Sequence, residues 1–85
     1  MTDYSWLGFV LRDERRKAIL LCLDKPKVPK EIANCCKASI HNVSKSLKEL
    51  LDRGLIVCKN QQDKFYRFYE LAKKGREILK EFEKQ

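Results

Sequence analysis

His41, Asn42, Ser44, Lys45 and Lys48 lie close together in the chain. They offer an imidazole, a carboxamide, a hydroxyl and two ammonium groups. Asn suits the edge of adenine, and Lys suits guanine or a phosphate oxygen. No acid falls between Lys37 and Glu49. The same region carries most of the excess charge. The 85-residue chain has a net charge of +7, and residues 25–48 hold six lysines against Glu31 alone, a local +5. A cationic, hydrogen-bonding segment of this kind points to a polyanionic partner, nucleic acid above all.

Whether these groups act together depends on helical phase. With Val43 at zero and about 100° per residue, Leu47 falls near 40° and Leu50 near −20°. His41, Lys45 and Lys48 fall on the opposite side, at about 160°, 200° and 140°, with Asn42 and Ser44 flanking them. The spacing predicts an amphipathic helix from about 39 to 53, with Val43, Leu47 and Leu50 inward and the polar set outward. Ser39 is suited to cap it, and Gly54 to end it in a left-handed step.

The elements that position this helix follow from their own punctuation. Asp13 can cap a helix reaching about Leu23, with Ala18, Ile19, Cys22 and Leu23 on one stripe and Arg15, Arg16 and Lys17 projecting elsewhere. Asp24-Lys25-Pro26-Lys27 breaks it. Pro29 suits the first turn of a short helix with Ile32, Ala33 and Cys36 inward, and Lys37-Ala38 forms the turn. Beyond Gly54, residues 55–58 read as a strand, Asn60-Gln61-Gln62-Asp63 as a polar turn, and Lys64 to Leu71 as a returning strand. The hairpin flanks carry Lys59, Lys64 and Arg67. A last helix covers about 72–85, with Ile78, Leu79 and Phe82 on its apolar side. Residues 1–11, holding Tyr4, Trp6, Leu7, Phe9 and Val10, form an apolar arm of ambiguous secondary structure.

Length allows one small domain over 1–85, of a size that pairing with a second copy would help stabilise. No run approaches the roughly 20 apolar residues of a membrane span, and no export signal opens the chain, so the expected compartment is the cytoplasm. Cys22, Cys35, Cys36 and Cys58 make no C-x-x-C pair. They are expected chiefly as small buried hydrophobes, with redox or metal sensing, or a disulfide, as alternatives, and their spacing does not suit a structural zinc site. With one histidine, three glycines and no carboxylate cluster, the chain carries no catalytic constellation and calls for no cofactor.

Helix, helix, turn, helix, hairpin, helix is the order of a winged helix-turn-helix, an α+β but mainly α fold. EIA at 31–33, Ser39, VSKSLKEL at 43–50, GLI at 54–56 and YELAKKG at 69–75 resemble ArsR/MarR-like regulators of archaea and bacteria. RDERRKAIL at 12–20 resembles the opening helix of small archaeal regulators of this type. The resemblance spans about 12–82. It departs at Lys37, where such turns commonly hold glycine, and at Ala72, where the cap is often threonine. The cysteine motif of metal-sensing relatives is missing from the helix after Ser39.

The resemblance implies a sequence-preferring regulator of transcription that binds double-stranded DNA as a homodimer. The helix at about 39–53 would enter the major groove, offering His41, Asn42, Ser44, Lys45 and Lys48, with Ser39 at a phosphate. The wing at about 55–71 would lie on the backbone or minor groove through Lys59, Lys64 and Arg67. Trp6, Phe9, Ile78, Leu79 and Phe82 would supply the pairing surface. Two other classes stay open: a protein-interaction module of the transcription or replication machinery, and an RNA binder stacking bases on Phe65, Tyr66, Phe68 and Tyr69.

Overall fold

Capping chemistry sets most of the helix boundaries. The computed structural model describes residues 4–63 and 67–83, and side chains 7–63 and 67–82. Helix α1 runs Tyr4–Leu11, α2 Glu14–Cys22, α3 Pro29–Cys36, α4 Ile40–Asp52 and α5 Lys73–Glu83, with strands β1 at Ile56–Cys58 and β2 at Tyr69–Leu71 between α4 and α5. The Asp13 carboxylate accepts from the Arg15 N–H at 2.9 Å, and the Ser39 hydroxyl accepts from the Asn42 N–H at 3.2 Å. Pro29 opens α3, and the Glu31 carboxylate reaches back to the Val28 N–H at 3.2 Å.

Two helix ends close in the same way. After α4, Gly54 takes φ +72°, its N–H bonding Leu51 O while the Leu55 N–H bonds Leu50 O. After α3, the left-handed position belongs to Lys37 at φ +55°, with the Ala38 N–H on Ala33 O. A side chain in that region costs about 1–2 kcal/mol, so the glycine usual in such turns is replaced here at a cost.

The core is shared by every helix. Ile19 and Leu20 of α2, Ile32 of α3, Val43, Leu47 and Leu50 of α4, Leu55, Ile56 of β1 and Ile78 of α5 are all buried. Each aliphatic side chain withdrawn from water contributes about 1.5–3 kcal/mol. The apolar N-terminal run proves to be a helix that docks Leu7 and Val10 into this core, which resolves its ambiguous reading.

The hairpin is shorter than expected. Ile56 pairs with Leu71, Val57 with Glu70 and Cys58 with Tyr69, antiparallel. The returning strand starts at Tyr69 rather than Lys64, and Lys64, Phe65 and Tyr66 lie outside the described residues. Asn60 helps explain the early end of the ladder, because its side chain accepts the Phe68 N–H at 2.7 Å. A further pairing joins the loop before α3 to the sheet: Lys27 and Tyr69 exchange main-chain bonds of 3.0 and 2.8 Å.

The cysteine reading needs correction. Cys22, at the end of α2, is bridged to Cys35 in the last turn of α3, with Cα atoms 6.2 Å apart. Cys22 is buried, but Cys35 is exposed, so it is no buried hydrophobe. No described helix is long and apolar enough to cross a membrane.

Candidate nucleic-acid interface

The turn and α4 present their polar face as the phasing requires. Val43, Leu47 and Leu50 are at most 2% exposed, whereas His41, Ser44, Lys45 and Lys48 are all exposed and Asn42 is half-buried. Ser39, exposed, holds the first turn of α4 through its hydroxyl and leaves the helix N-terminus open to solvent. Backbone N–H groups at such an end, with the positive pole of the helix dipole, suit an anionic oxygen.

Two residues join this face that phasing alone did not select. Ile40, the first residue of α4, is 55% exposed, an apolar group next to the polar set that could meet a thymine methyl. Lys37 is exposed on the left-handed turn immediately before Ser39. Ile40 lies at about 60° in phase, within the range usually buried. Its exposure goes with its place as the first residue of α4, at the open end of the helix.

Not every lysine of the basic segment is available. The Lys27 ammonium donates to the Cys22 carbonyl and to Asp24 Oδ1 at 3.0 Å, and its side chain is 15% exposed. The Lys27 hydrogen bond, then its charge, holds the Asp24 carboxyl below its ordinary 3.8. Lys27 therefore pins the loop before α3 and is not part of the open cationic surface.

At the wing, Lys59 and Arg67 are exposed. Arg67 Nε donates to the Asp63 carbonyl at 2.9 Å, which ties the turn together, and the residue as a whole is exposed. Lys64 falls among the residues not described. Of the aromatic set considered for base stacking, Tyr69 is buried and Phe68 is 38% exposed.

Behind α4, Arg16 fixes the helix relative to its neighbours. The sequence placed Arg16 among projecting cations, but it is half-buried. One guanidinium nitrogen donates to Phe9 O at 2.8 Å and the other to Glu49 Oε2 at 2.6 Å, so α1, α2 and α4 meet on one side chain. The same guanidinium lies 3.9 Å from the Phe9 ring centroid, and Arg53 approaches that ring at 4.6 Å. This tie joins residues 33 apart in sequence, and no local pattern announces it.

The residues expected to pair two copies divide between core and surface. Ile78 is 3% exposed and belongs to the monomer's own core. Leu79 and Phe82 pack partly against that core, Phe82 with the Lys17 ammonium 4.9 Å from its ring centroid. Phe9 is held by the two guanidinium groups, and the side chain of Trp6 lies outside those described. Leu11 and Leu21 are about half exposed, at 48% and 55%.

No family model and no curated protein matches the chain. Solved structures do. The homodimeric winged helix-turn-helix DNA-binding domain of Mb0332 from Mycobacterium bovis, a possible ArsR-family transcriptional regulator, matches with a TM-score of 0.74 at 21% identity, over 92% of this chain and 73% of that one. A MarR family transcriptional regulator from Silicibacter pomeroyi matches at 0.74 and 21% identity, over 94% of this chain and 56% of its own. ZitR of Lactococcus lactis, solved in complex with DNA, matches at 0.69 and 24% identity, over 82% of this chain and 49% of its own. The chain thus spans about half the length of the last two. At these identities the likeness establishes the fold, and the fold is a winged helix-turn-helix.

Proposed function

We propose that the protein regulates transcription by binding double-stranded DNA with sequence preference, α4 lying in the major groove and the wing against the backbone or minor groove. The observation that carries this reading is the division of α4. Its apolar side is sealed into the core, and His41, Ser44, Lys45 and Lys48 are left together in solvent beside a capped helix start. An ordinary surface helix mixes acids with bases, whereas this one is free of acid until Glu49.

In this reading Asn42, Ser44 and Lys45 meet base edges, with Ile40 as an apolar contact. Ser39, Lys37 and Lys48 hold phosphates and set the register. Lys59 and Arg67, with Lys64, follow the backbone from the wing. The chain is 37 Å along its longest dimension. Each chain carries one α4, so two recognition helices one DNA turn apart, about 34 Å, need two copies reading a pseudo-palindrome. The homodimeric Mycobacterium bovis domain supports such pairing. In this reading pairing draws on Leu79 and Phe82 of α5 and, as the sequence pattern suggests, on Trp6 and Phe9 of α1, while Ile78 stays in the monomer core.

Selection of bound sequences from random duplex DNA tests the reading. Enrichment of a two-part motif with half-sites about one helical turn apart is expected. Recovery of no motif, with binding that vanishes at moderate salt, would overturn sequence preference.

A further inference from the structure

Three sulfur atoms meet where α2 touches α3. Cys22 and Cys35 are bonded to each other, and the sulfur of the neighbouring Cys36 lies 3.5 Å from that of Cys22. Cys22 has no proton in the bridge, so Cys36 must be the donor in this contact. The separation is van der Waals contact between a thiol and a disulfide sulfur, and exchange proceeds by attack of a thiolate on such a sulfur. The two candidate partners of Cys22 differ in surroundings. Cys35 faces solvent, and Cys36 is half-buried at the edge of an open cleft of about 510 Å³ lined also by Arg12, Asp13, Glu14, Arg15 and Lys37.

We propose that Cys22, Cys35 and Cys36 form a thiol–disulfide exchange site that accepts small disulfides. The Cys36 thiolate attacks Cys22 Sγ, a Cys22–Cys36 bond forms, and the Cys22–Cys35 bond breaks with its electron pair going to Cys35. The proton lost by Cys36 goes to water, and Cys35 leaves as a thiolate facing solvent. This step is redox-neutral and needs no external oxidant. The Cys35 thiolate then attacks a small disulfide R–S–S–R, making Cys35–S–S–R and releasing R–S⁻. The bridge keeps its anchor on Cys22 throughout, while the free thiol moves from the cleft to the surface.

The surroundings control the rate. Burial pushes the Cys36 thiol above its ordinary value, against the pull of Lys27 and Arg15. Arg12 and Lys37 add positive charge along the cleft, while Asp13 and Glu14 oppose it. Exchange is therefore slow at neutral pH and accelerates as the solution becomes alkaline. The site lies immediately before the Lys37 turn that leads into α4, but exchange itself requires no DNA. Its success or failure is thus separate from that of the DNA-binding reading.

The test uses protein purified without reductant, in a Cys58→Ser background so that the fourth thiol cannot take part. N-ethylmaleimide is added at about pH 8.5, near the ordinary thiol pKa. Tandem mass spectrometry then locates the label and the bridge over time. Label accumulating on Cys35, in molecules bridged Cys22–Cys36, is expected. Cys36→Ser and Cys36→Ala should each keep Cys35 unlabelled and bridged. With glutathione disulfide as the probe, the adduct should sit on Cys35. Label confined to Cys36, equal labelling of Cys35 with and without Cys36, or no bridge at all would overturn the proposal.

Discussion

Gly75 and Gly8 both lie within helices, and the structure assigns their replacement by alanine opposite signs. A Cβ on Gly75 would come 2.3 Å from the Leu55 carbonyl oxygen and 3.2 Å from Leu71 Cδ2. The Leu71 contact is with the end of a flexible side chain and can yield. The Leu55 contact is with backbone that also accepts the Ala72 N–H at 3.0 Å, and it lies about 1 Å inside ordinary contact. Overpacking of this kind costs about 1–3 kcal/mol. Losing the Ala72 bond would add about 1 kcal/mol. Against this stands the gain of about 1 kcal/mol that alanine brings to a helix over glycine. The clash wins, and Gly75→Ala should destabilise by about 1–3 kcal/mol. For a chain of this size that is a fall in Tm of roughly 5–20 °C. At Gly8 nothing lies within 4 Å of the added Cβ, so only the helix gain remains and Gly8→Ala should stabilise by about 0.5–1 kcal/mol. Urea and thermal unfolding of the two variants measure both values. A Gly75→Ala protein as stable as Gly8→Ala would refute the close approach of α5 to Leu55 and, with it, the seating of the last helix against the wing.

Lys45→Ala should relax preference at one or two base positions and cost about 1–3 kcal/mol on the selected duplex. Lys59→Ala should weaken every duplex alike and reduce the salt slope by about one, both read by fluorescence anisotropy at several salt concentrations. Cys22→Ser removes any bridge across the 13-residue separation and should lower stability by about 3 kcal/mol, whereas Cys35→Ser, with Cys36 available to replace it, should lose much less in urea melts. Lys37→Gly relieves a left-handed side chain and should raise stability by about 0.5–1 kcal/mol in the same melts. The Asp24 carboxyl titrates below 3.8, so its contribution is complete above that value and is lost only as the pH falls through the lowered one. Lys27→Met should return its NMR titration toward 3.8.

The parts of the fold legible in the sequence are those fixed by near neighbours. Asp13, Pro29, Ser39 and Gly54 act on backbone groups within a turn of themselves, and each does what its residue type suggests. The phase of Val43, Leu47 and Leu50 was equally local, and it separated the buried from the open side of α4. What escaped depends on contacts distant in sequence. The Cys22–Cys35 bridge, the Arg16 tie to Glu49 and the Lys27 pairing with Tyr69 are set only when α2, α3, α4 and β2 come together. Residues 64–71 alternate well enough for a strand, but the Asn60 side chain takes the Phe68 N–H and the ladder is confined to Tyr69–Leu71. Lys27 belongs to the basic segment by its charge, which is visible in sequence, whereas its ion pair with Asp24 is not. Ile40 escapes the phase argument because helical phase says nothing of exposure at a helix end.

The reading of α4 as the DNA-contacting element is tested most directly by an NMR titration of the protein with the duplex recovered from selection. Backbone amide shifts concentrated at Ser39 to Lys48, with a second cluster at Lys59 and Arg67, are the expected result. Shifts confined to α1 and α5, leaving Ser39 to Lys48 unmoved at saturation, would contradict it.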